Sequence, residues 1–308
     1  PLLEQSVSIA RAVNDTRQAG TSLYYLGTVY NDLSDRENAI KCLKDAITLH
    51  QTADDRESEG TTTNYLGDVY LSLGDNEQAL KYYSQSLELR RNLKDDDGEA
   101  GSLQNLGLLY LSEGEMQKAL DHLNRSLTIY RRLEDFESQA EVLGLLGLTF
   151  NSLGQPKEAV AQLNDGLKLA RQRGYDETVA KLLTSKGIVF TTTGELDKAL
   201  DCYEEARPLI EKLDDPAAEA TRDFSVGLLQ FQRDEFRKAL DSFERAESKV
   251  RALGVDSGAE RYAVLAALTA YALDDEQKAL NKLSAAVSSL QATGELIGYG
   301  RELPGPLS

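Results

Sequence analysis

Few residues in this chain could run chemistry. It holds two histidines and two cysteines among 308 residues. A zinc site needs about four nitrogen or sulfur ligands at close spacing, and neither His50 nor His122 lies with cysteines or acids in such a pattern. Asp95, Asp96 and Asp97 followed by Gly98 look like the start of a calcium loop. The rest of that loop of about twelve residues, with its closing glutamate, is missing. Nucleophilic catalysis would need a serine or cysteine beside one of two badly placed histidines. No glycine-rich lysine loop and no dinucleotide fingerprint occurs. The expectation is a chain with no active site, no metal and no cofactor.

That leaves binding, and charge restricts the partner. The 34 basic and 51 acidic residues leave a net charge of −17. Such a surface repels phosphate backbones and anionic lipid, which disfavours nucleic acid and membrane as partners. No apolar run approaches the roughly 18 residues of a membrane span. Cys42 and Cys202 are too few for a disulfide framework, so a reducing, cytoplasmic setting is expected. No basic-then-apolar signal segment opens the chain.

The elements that must position any binding residues come from a repeat. Alanine recurs at Ala39, Ala79, Ala119, Ala159, Ala199, Ala239 and Ala279, every 40 residues, each followed by an aliphatic residue. Twelve positions earlier stands a glycine column, Gly27, Gly67, Gly107, Gly147, Gly187 and Gly227, closed by Ala267. An aromatic column, Tyr30, Tyr70, Tyr110, Phe150 and Phe190, follows three residues later and lapses at Gln230 and Ala270.

Within a period the apolar spacing is helical. Leu103, Leu106, Gly107 and Tyr110 mark one face of a first helix; Ala119, Leu120, Leu123 and Leu127 mark a second. Breaks such as Glu113-Gly114-Glu115 use glycine to end the first helix in the left-handed conformation. Acidic breaks such as Asp54-Asp55 and Glu134-Asp135 can cap the next helix. Each repeat therefore reads as two antiparallel helices of about 16 to 18 residues, roughly 25 Å long. Cys42 and Cys202 share one column and read as packing residues. Residues 1–15 match the second helix of a truncated preceding repeat, 16–295 hold seven full repeats, and 296–308 begin like an eighth. In that last segment Gly300 and Leu303 keep the pattern before Pro304 and Pro306 break it. The chain is expected to be cut from a longer protein at its start.

Stretches such as Leu66-Gly67-Asp68-Val69-Tyr70, followed by Asn76-Glu77-Gln78-Ala79-Leu80, resemble the tetratricopeptide repeat over nearly the whole chain. The usual form of that family has a shorter period and a proline closing the second helix. Here Gln51, Arg91, Arg131, Arg171, Glu211, Arg251 and Gln291 hold that place and the helix runs on. The longer period is similar to repeats in spindle-orientation adaptors and MalT-type regulators, with kinesin light chains close by. The resemblance implies an all-α, right-handed superhelical solenoid with a concave groove lined by first helices. It implies a scaffold that binds a protein or peptide.

Beside the packing stripe of each first helix runs a second stripe, which lines the groove in the family. It is polar at the start, with Tyr24, Asn31, Asn64 and Gln104 able to orient a ligand by hydrogen bonds. It turns apolar at Leu108, Leu111, Leu148, Ile188, Phe224, Leu228, Phe231, Leu268 and Tyr271. Two readings of the aliphatic column stand: an open apolar ligand face, or packing between neighbouring first helices. A third is that a sister subunit or an adjoining part of the same chain covers it, by self-association or as an attached domain. A carboxylate clamp is not expected, because the residue after the glycine is never asparagine and only Lys181 is basic on this face of the central repeats. The acids between repeats suit either a basic partner or simple capping and solubility. The alternative function is a sensory or regulatory module that controls an output domain in a larger signalling protein.

Overall fold

The computed structural model describes residues 2–253 and 259–293. The expected partial helix at 296–308, with Gly300, Leu303, Pro304 and Pro306, lies outside them. Among the described residues every regular element is an α-helix. In chain order these are α1 (Leu2–Ala12), α2 (Thr16–Asp32), α3 (Arg36–Thr52), α4 (Arg56–Ser72) and α5 (Asn76–Leu93). Then come α6 (Asp96–Ser112), α7 (Met116–Leu133), α8 (Phe136–Ser152), α9 (Pro156–Arg173) and α10 (Asp176–Thr192). The last are α11 (Leu196–Leu213), α12 (Pro216–Gln232), α13 (Phe236–Ala252), α14 (Ala259–Ala272) and α15 (Glu276–Thr293). No helix among the described residues is long and apolar enough to cross a membrane.

Contacts gather the chain into two compact units, Pro1–Thr178 and Val179–Ser308. In the first, α2 pairs with α3, α4 with α5, α6 with α7 and α8 with α9, while α1 packs on α2. First helices also touch directly, α2 on α4, α4 on α6 and α6 on α8. Among the described residues no pair of second helices does so to the same extent, so the first helices form the inner face of this unit. In the second unit α12 pairs with α13 and α14 with α15.

Helix starts follow from the acids in the breaks. Asp15, Asp35, Asp55, Asp75, Asp95 and Asp135 each accept a hydrogen bond from the backbone N–H three residues on, at 2.9 to 3.3 Å. Those carboxylates satisfy orphan donors at a positive helix end, which accounts for much of the acidic row without any partner. The helix ends differ from expectation. Gly74 does sit at φ 73°, but Ser34 fills the equivalent place at φ 60°, and Lys94 and Glu134 after second helices stand at φ 57° and 56°. Left-handed termination thus occurs in both breaks and without glycine, held by the hydrogen bonds of the flanking helix ends.

The small columns set the interhelical distance. Ala39 through Ala239 are fully buried. A Cβ placed on Gly107 or Gly147 would lie 2.6 Å from Leu123 or Leu163 of the paired second helix. The arginines near second-helix C-termini, where the helix dipole favours cations, also form side-chain bonds. Arg90 is buried and bonds Asp95 and Thr61, while Arg91 pairs with Glu99 at 2.8 Å and Arg132 with Asp96 at 2.8 Å.

His50, in Arg90's column, is less well provided for. Its side chain is 1% exposed, neither ring nitrogen has a hydrogen-bond partner, and Asp55 stands 4.0 Å away. Burial lowers its pKa, outweighing the upward pull of Asp55 and Glu59. The unfolded chain therefore binds the proton more readily, and this contribution to stability falls as pH drops through the ordinary histidine range near 6.5. His50→Leu is expected to raise stability at pH 7 by about 1–2 kcal/mol, since it removes unmet buried polar atoms. It should also flatten the loss between pH 7 and 5. Urea unfolding of both proteins across that range checks it, and parallel curves would show that His50 does not titrate with folding.

Candidate functional site

On the inner face of the first unit, α2, α4 and α6 bring polar residues together. Tyr24 is half-buried, its ring edge-on to Tyr25 at 5.2 Å and to Tyr65 of the next repeat at 5.8 Å between centroids. Asn31 donates from Nδ2 to the Tyr65 hydroxyl at 3.1 Å and accepts from Arg36 at 2.8 Å. Asn31 is thus engaged within the fold. Asn64 differs: its Oδ1 is sealed from solvent and has no donor. Gln104 is half-buried on α6.

One turn after Asn64 stands Asp68, in the column directly after the glycine. Tyr83 donates to its Oδ1 at 2.7 Å and Asn105 of the next first helix donates to the same oxygen at 3.0 Å. Burial pushes the carboxyl up to about 6 although the Tyr83 bond pulls it down. The phenols of Tyr24 and Tyr65 are raised mainly by burial, with the charge of Asp68 adding to both. A cleft of about 170 Å³ adjoins Tyr24 and Tyr25, with Thr61, Ser58 and Glu57 across from them.

The apolar residues sort by exposure. Leu108 is 38% exposed, whereas Leu111 and Leu148 are half-buried, all in the first unit. In the second unit Ile188, Phe224 and Leu228 are half-buried. Phe224 packs on Tyr262 and Phe243 with centroids 4.6 and 5.8 Å away, and Leu228 joins the same cluster, so both serve the core of their unit as well as its face. Phe231 meets Phe236 edge-on at 5.3 Å. Leu268 and Tyr271 are the most open, at 50% and 65%, and with Leu280 and Leu283 line a cleft of about 340 Å³. The aliphatic column is therefore neither wholly packed nor wholly open.

Two features escaped the sequence reading. The Asp68 cluster was signalled only by an acid in a column that elsewhere holds Thr28, Leu108, Leu148, Ile188, Leu228 and Leu268. The other is Asp223 in a column of Leu103, Leu143 and Leu183. It is buried and bonded to Arg222 at 2.7 Å and Lys249 at 2.9 Å. As for reactive groups, Cys202 is buried, and burial pushes the thiol of half-buried Cys42 up, against thiolate chemistry. Among the described residues no three His, Cys, Asp or Glu side chains gather in a way that could hold a metal ion.

The tetratricopeptide repeat family model matches residues 18–92, 58–132 and 99–172, together just over half of the chain. No curated protein matches it in sequence. Among solved structures it is similar to a Rap protein complexed with Competence and Sporulation Factor, with TM-score 0.71, 16% identity, 91% of this chain and 76% of that one covered. It is also similar to the Rap conjugation gene regulator of plasmid pLS20 in complex with the Phr* peptide, with TM-score 0.67, 15% identity and 94% and 83% covered. A third is a signal transduction ATPase with numerous domains from Pyrococcus horikoshii that carries a tetratricopeptide repeat sensor, with TM-score 0.57, 16% identity and 96% and 45% covered. At these identities the likeness speaks for the fold alone. With repeat columns, helix pairs and family match in agreement, the chain belongs to the tetratricopeptide repeat family.

Proposed function

We propose that this protein is an interaction scaffold whose first-helix faces bind a segment of another polypeptide. The observation that carries this reading is the partial exposure of apolar side chains that the fold does not need to leave open, above all Leu108, Phe231, Leu268 and Tyr271. Apolar surface of that kind marks partner sites, and α-helical repeats use such faces for extended or helical segments. Two of the similar structures hold bound factors, one of them described as a peptide. The sensor reading has its own support, since a similar fold forms less than half of a larger signal transduction ATPase.

Affinity capture with the intact chain, alongside Leu108→Asp and Leu268→Asp at exposed positions of the face, tests the scaffold. Each aspartate would place an unpaired charge in an apolar contact, for an expected loss of at least about 2 kcal/mol, some thirtyfold in Kd. Circular dichroism should show helicity retained. A helical double variant that holds the same partner at wild-type affinity would falsify the assignment. A partner that changes only the activity of an attached domain favours the sensor.

A further inference from the structure

The first two repeats carry the same four residues at one joint, with a single exchange. Gly60 and Thr61 on α4, Arg90 on α5 and Asp95 ahead of α6 form one set. Forty residues earlier stand Gly20 and Thr21 on α2, His50 on α3 and Asp55 ahead of α4. Arg90 donates to Thr61 Oγ1 and to Asp95 Oδ2, and so ties three helices together. Asp95 uses its other oxygen to cap α6, accepting from the Gly98 N–H at 3.0 Å. Asp55 is built the same way: Oδ1 caps α4 through the Ser58 N–H at 3.3 Å, and Oδ2 faces His50. Here the tie is open. His50 Nδ1 stops 4.0 Å from that oxygen, and neither ring nitrogen has a hydrogen-bond partner. The two side chains also rest on matching glycines. A Cβ on Gly20 would stand 2.9 Å from His50 Cε1, and one on Gly60 2.7 Å from Arg90 Nε.

We propose that His50 is a proton-operated form of the Arg90 tie, open as the neutral ring and closed as an imidazolium on Asp55 and Thr21. A neutral imidazole carries one N–H donor and the imidazolium two. Two acceptors are what Arg90 engages at the equivalent joint. Thr21 spends its own proton on the Arg17 carbonyl at 3.1 Å, which leaves its hydroxyl oxygen able to accept. His50 and Thr21 line one cleft of about 170 Å³, which gives the ring room to turn. Asp55 Oδ2 is met by Arg17 at 3.3 Å, from a side chain that is 66% exposed. Exposed pairs of that kind contribute little, so the imidazolium can displace it.

The direction of the switch follows from the surroundings. Around His50 stand Arg17, Tyr24 and Tyr25 of α2, Asp55 in the break, and Glu57 and Glu59 of α4. Burial is the largest influence and lowers the pKa; Asp55 and Glu59 pull it up, and Arg17 adds to the lowering. The tie therefore stands open at pH 7 and closes on the acid side of the ordinary histidine value. The unfolded chain still binds this proton more readily, so closure accompanies a fall in overall stability rather than a gain. Arg90 is charged throughout that range, and its joint does not respond. Closure turns the ring within the cleft that Tyr24 and Tyr25 share, which couples the shape of that cleft to pH.

The test follows the His50 Cε1 proton by NMR in the intact chain from about pH 8 to 5, with His122 giving the one other histidine signal. Asp55→Asn keeps the cap, since asparagine serves there as well as aspartate. It should weaken proton binding at His50 about tenfold. His50→Arg should close the tie at pH 7 and slow amide exchange in α2 and α4, and adding Asp55→Asn should reverse that about tenfold. His50→Leu provides the control: its exchange should be indifferent to Asp55→Asn. A His50 titration unmoved by Asp55→Asn overturns the proposal, as does a His50→Arg chain whose exchange does not depend on Asp55. Unfolding of α2 to α4 at the pH where His50 protonates overturns it too, leaving only the penalty of a buried histidine. Should His50→Arg fail to fold, the Asp55→Asn titration decides alone. None of these readouts needs a bound partner, so the switch and the scaffold are tested separately.

Discussion

Gly147→Val is expected to destabilise the first unit by about 3 kcal/mol, the upper end for overfilling a packed interior. A Cβ at this position would stand 2.6 Å from Cγ and 3.1 Å from both Cδ atoms of Leu163, which is itself fully buried. The first helix cannot retreat, because its other faces meet α7 and α6. Helix propensity works the other way, since glycine costs about 1 kcal/mol against alanine in a helix interior, but steric crowding is larger here. Gly101 supplies the contrast. It lies in the neighbouring first helix, and the nearest atom to its added Cβ is the Tyr130 hydroxyl oxygen at 3.6 Å. Gly101→Ala should therefore stabilise, by up to about 1 kcal/mol. Urea unfolding of both variants decides the matter. Equal midpoints for Gly147→Val and the parent would mean that the glycine column is not set by close approach.

A second large effect is expected at Asp223. Its side chain is 3% exposed, held by Arg222 at 2.7 Å and Lys249 at 2.9 Å, with Arg245 at 3.7 Å. Burial would lower the pKa of Lys249, yet its bonds to Glu219 and Asp223 carry it upward overall. Removing the acid alone leaves those cations without their central partner, and Asp223→Ala is expected to cost about 3 kcal/mol. Replacing the pair together is different. Equivalent positions in four other repeats hold Leu23, Leu103, Leu143 and Leu183 on the first helix, against Thr63 and Ala263 in the remaining two, and the partners of those four leucines on the second helix are Leu49, Ile129, Leu169 and Leu209. Asp223→Leu with Lys249→Leu restores that apolar pair and should be neutral or stabilising, as buried ion pairs replaced by fitting hydrocarbon often are. Thermal unfolding of the single and double variants measures the difference. A double variant as unstable as Asp223→Ala would assign the network a structural role that leucine cannot fill.

The repeat, the helix pairs and the packing columns could be read from residue spacing alone, because each reflects a local rule. Alanine every 40 residues has to mark the closest approach of a helix pair, and an aspartate ahead of an apolar-periodic run has to cap it. Family membership follows from the same regularity. Helix ends were less readable: Ser34, Lys94 and Glu134 take left-handed backbone that their side chains do not announce.

The binding face depended on neighbours that spacing does not supply. Leu148 and Leu268 occupy equivalent positions, yet one is half-buried and the other half-exposed; the helix of Leu148 has the first helix α6 packed on it. Asn31 was an equal candidate with Asn64 on sequence grounds. The fold satisfies Asn31 through Tyr65 and Arg36 and leaves Asn64 Oδ1 without a donor. Asp68, one more acid in an acidic chain, gains its character from burial and from Tyr83 and Asn105, which lie 15 and 37 residues away. Periodicity is a property of one helix and its register. Burial and hydrogen-bond satisfaction belong to several helices at once, so only the assembled chain decides them.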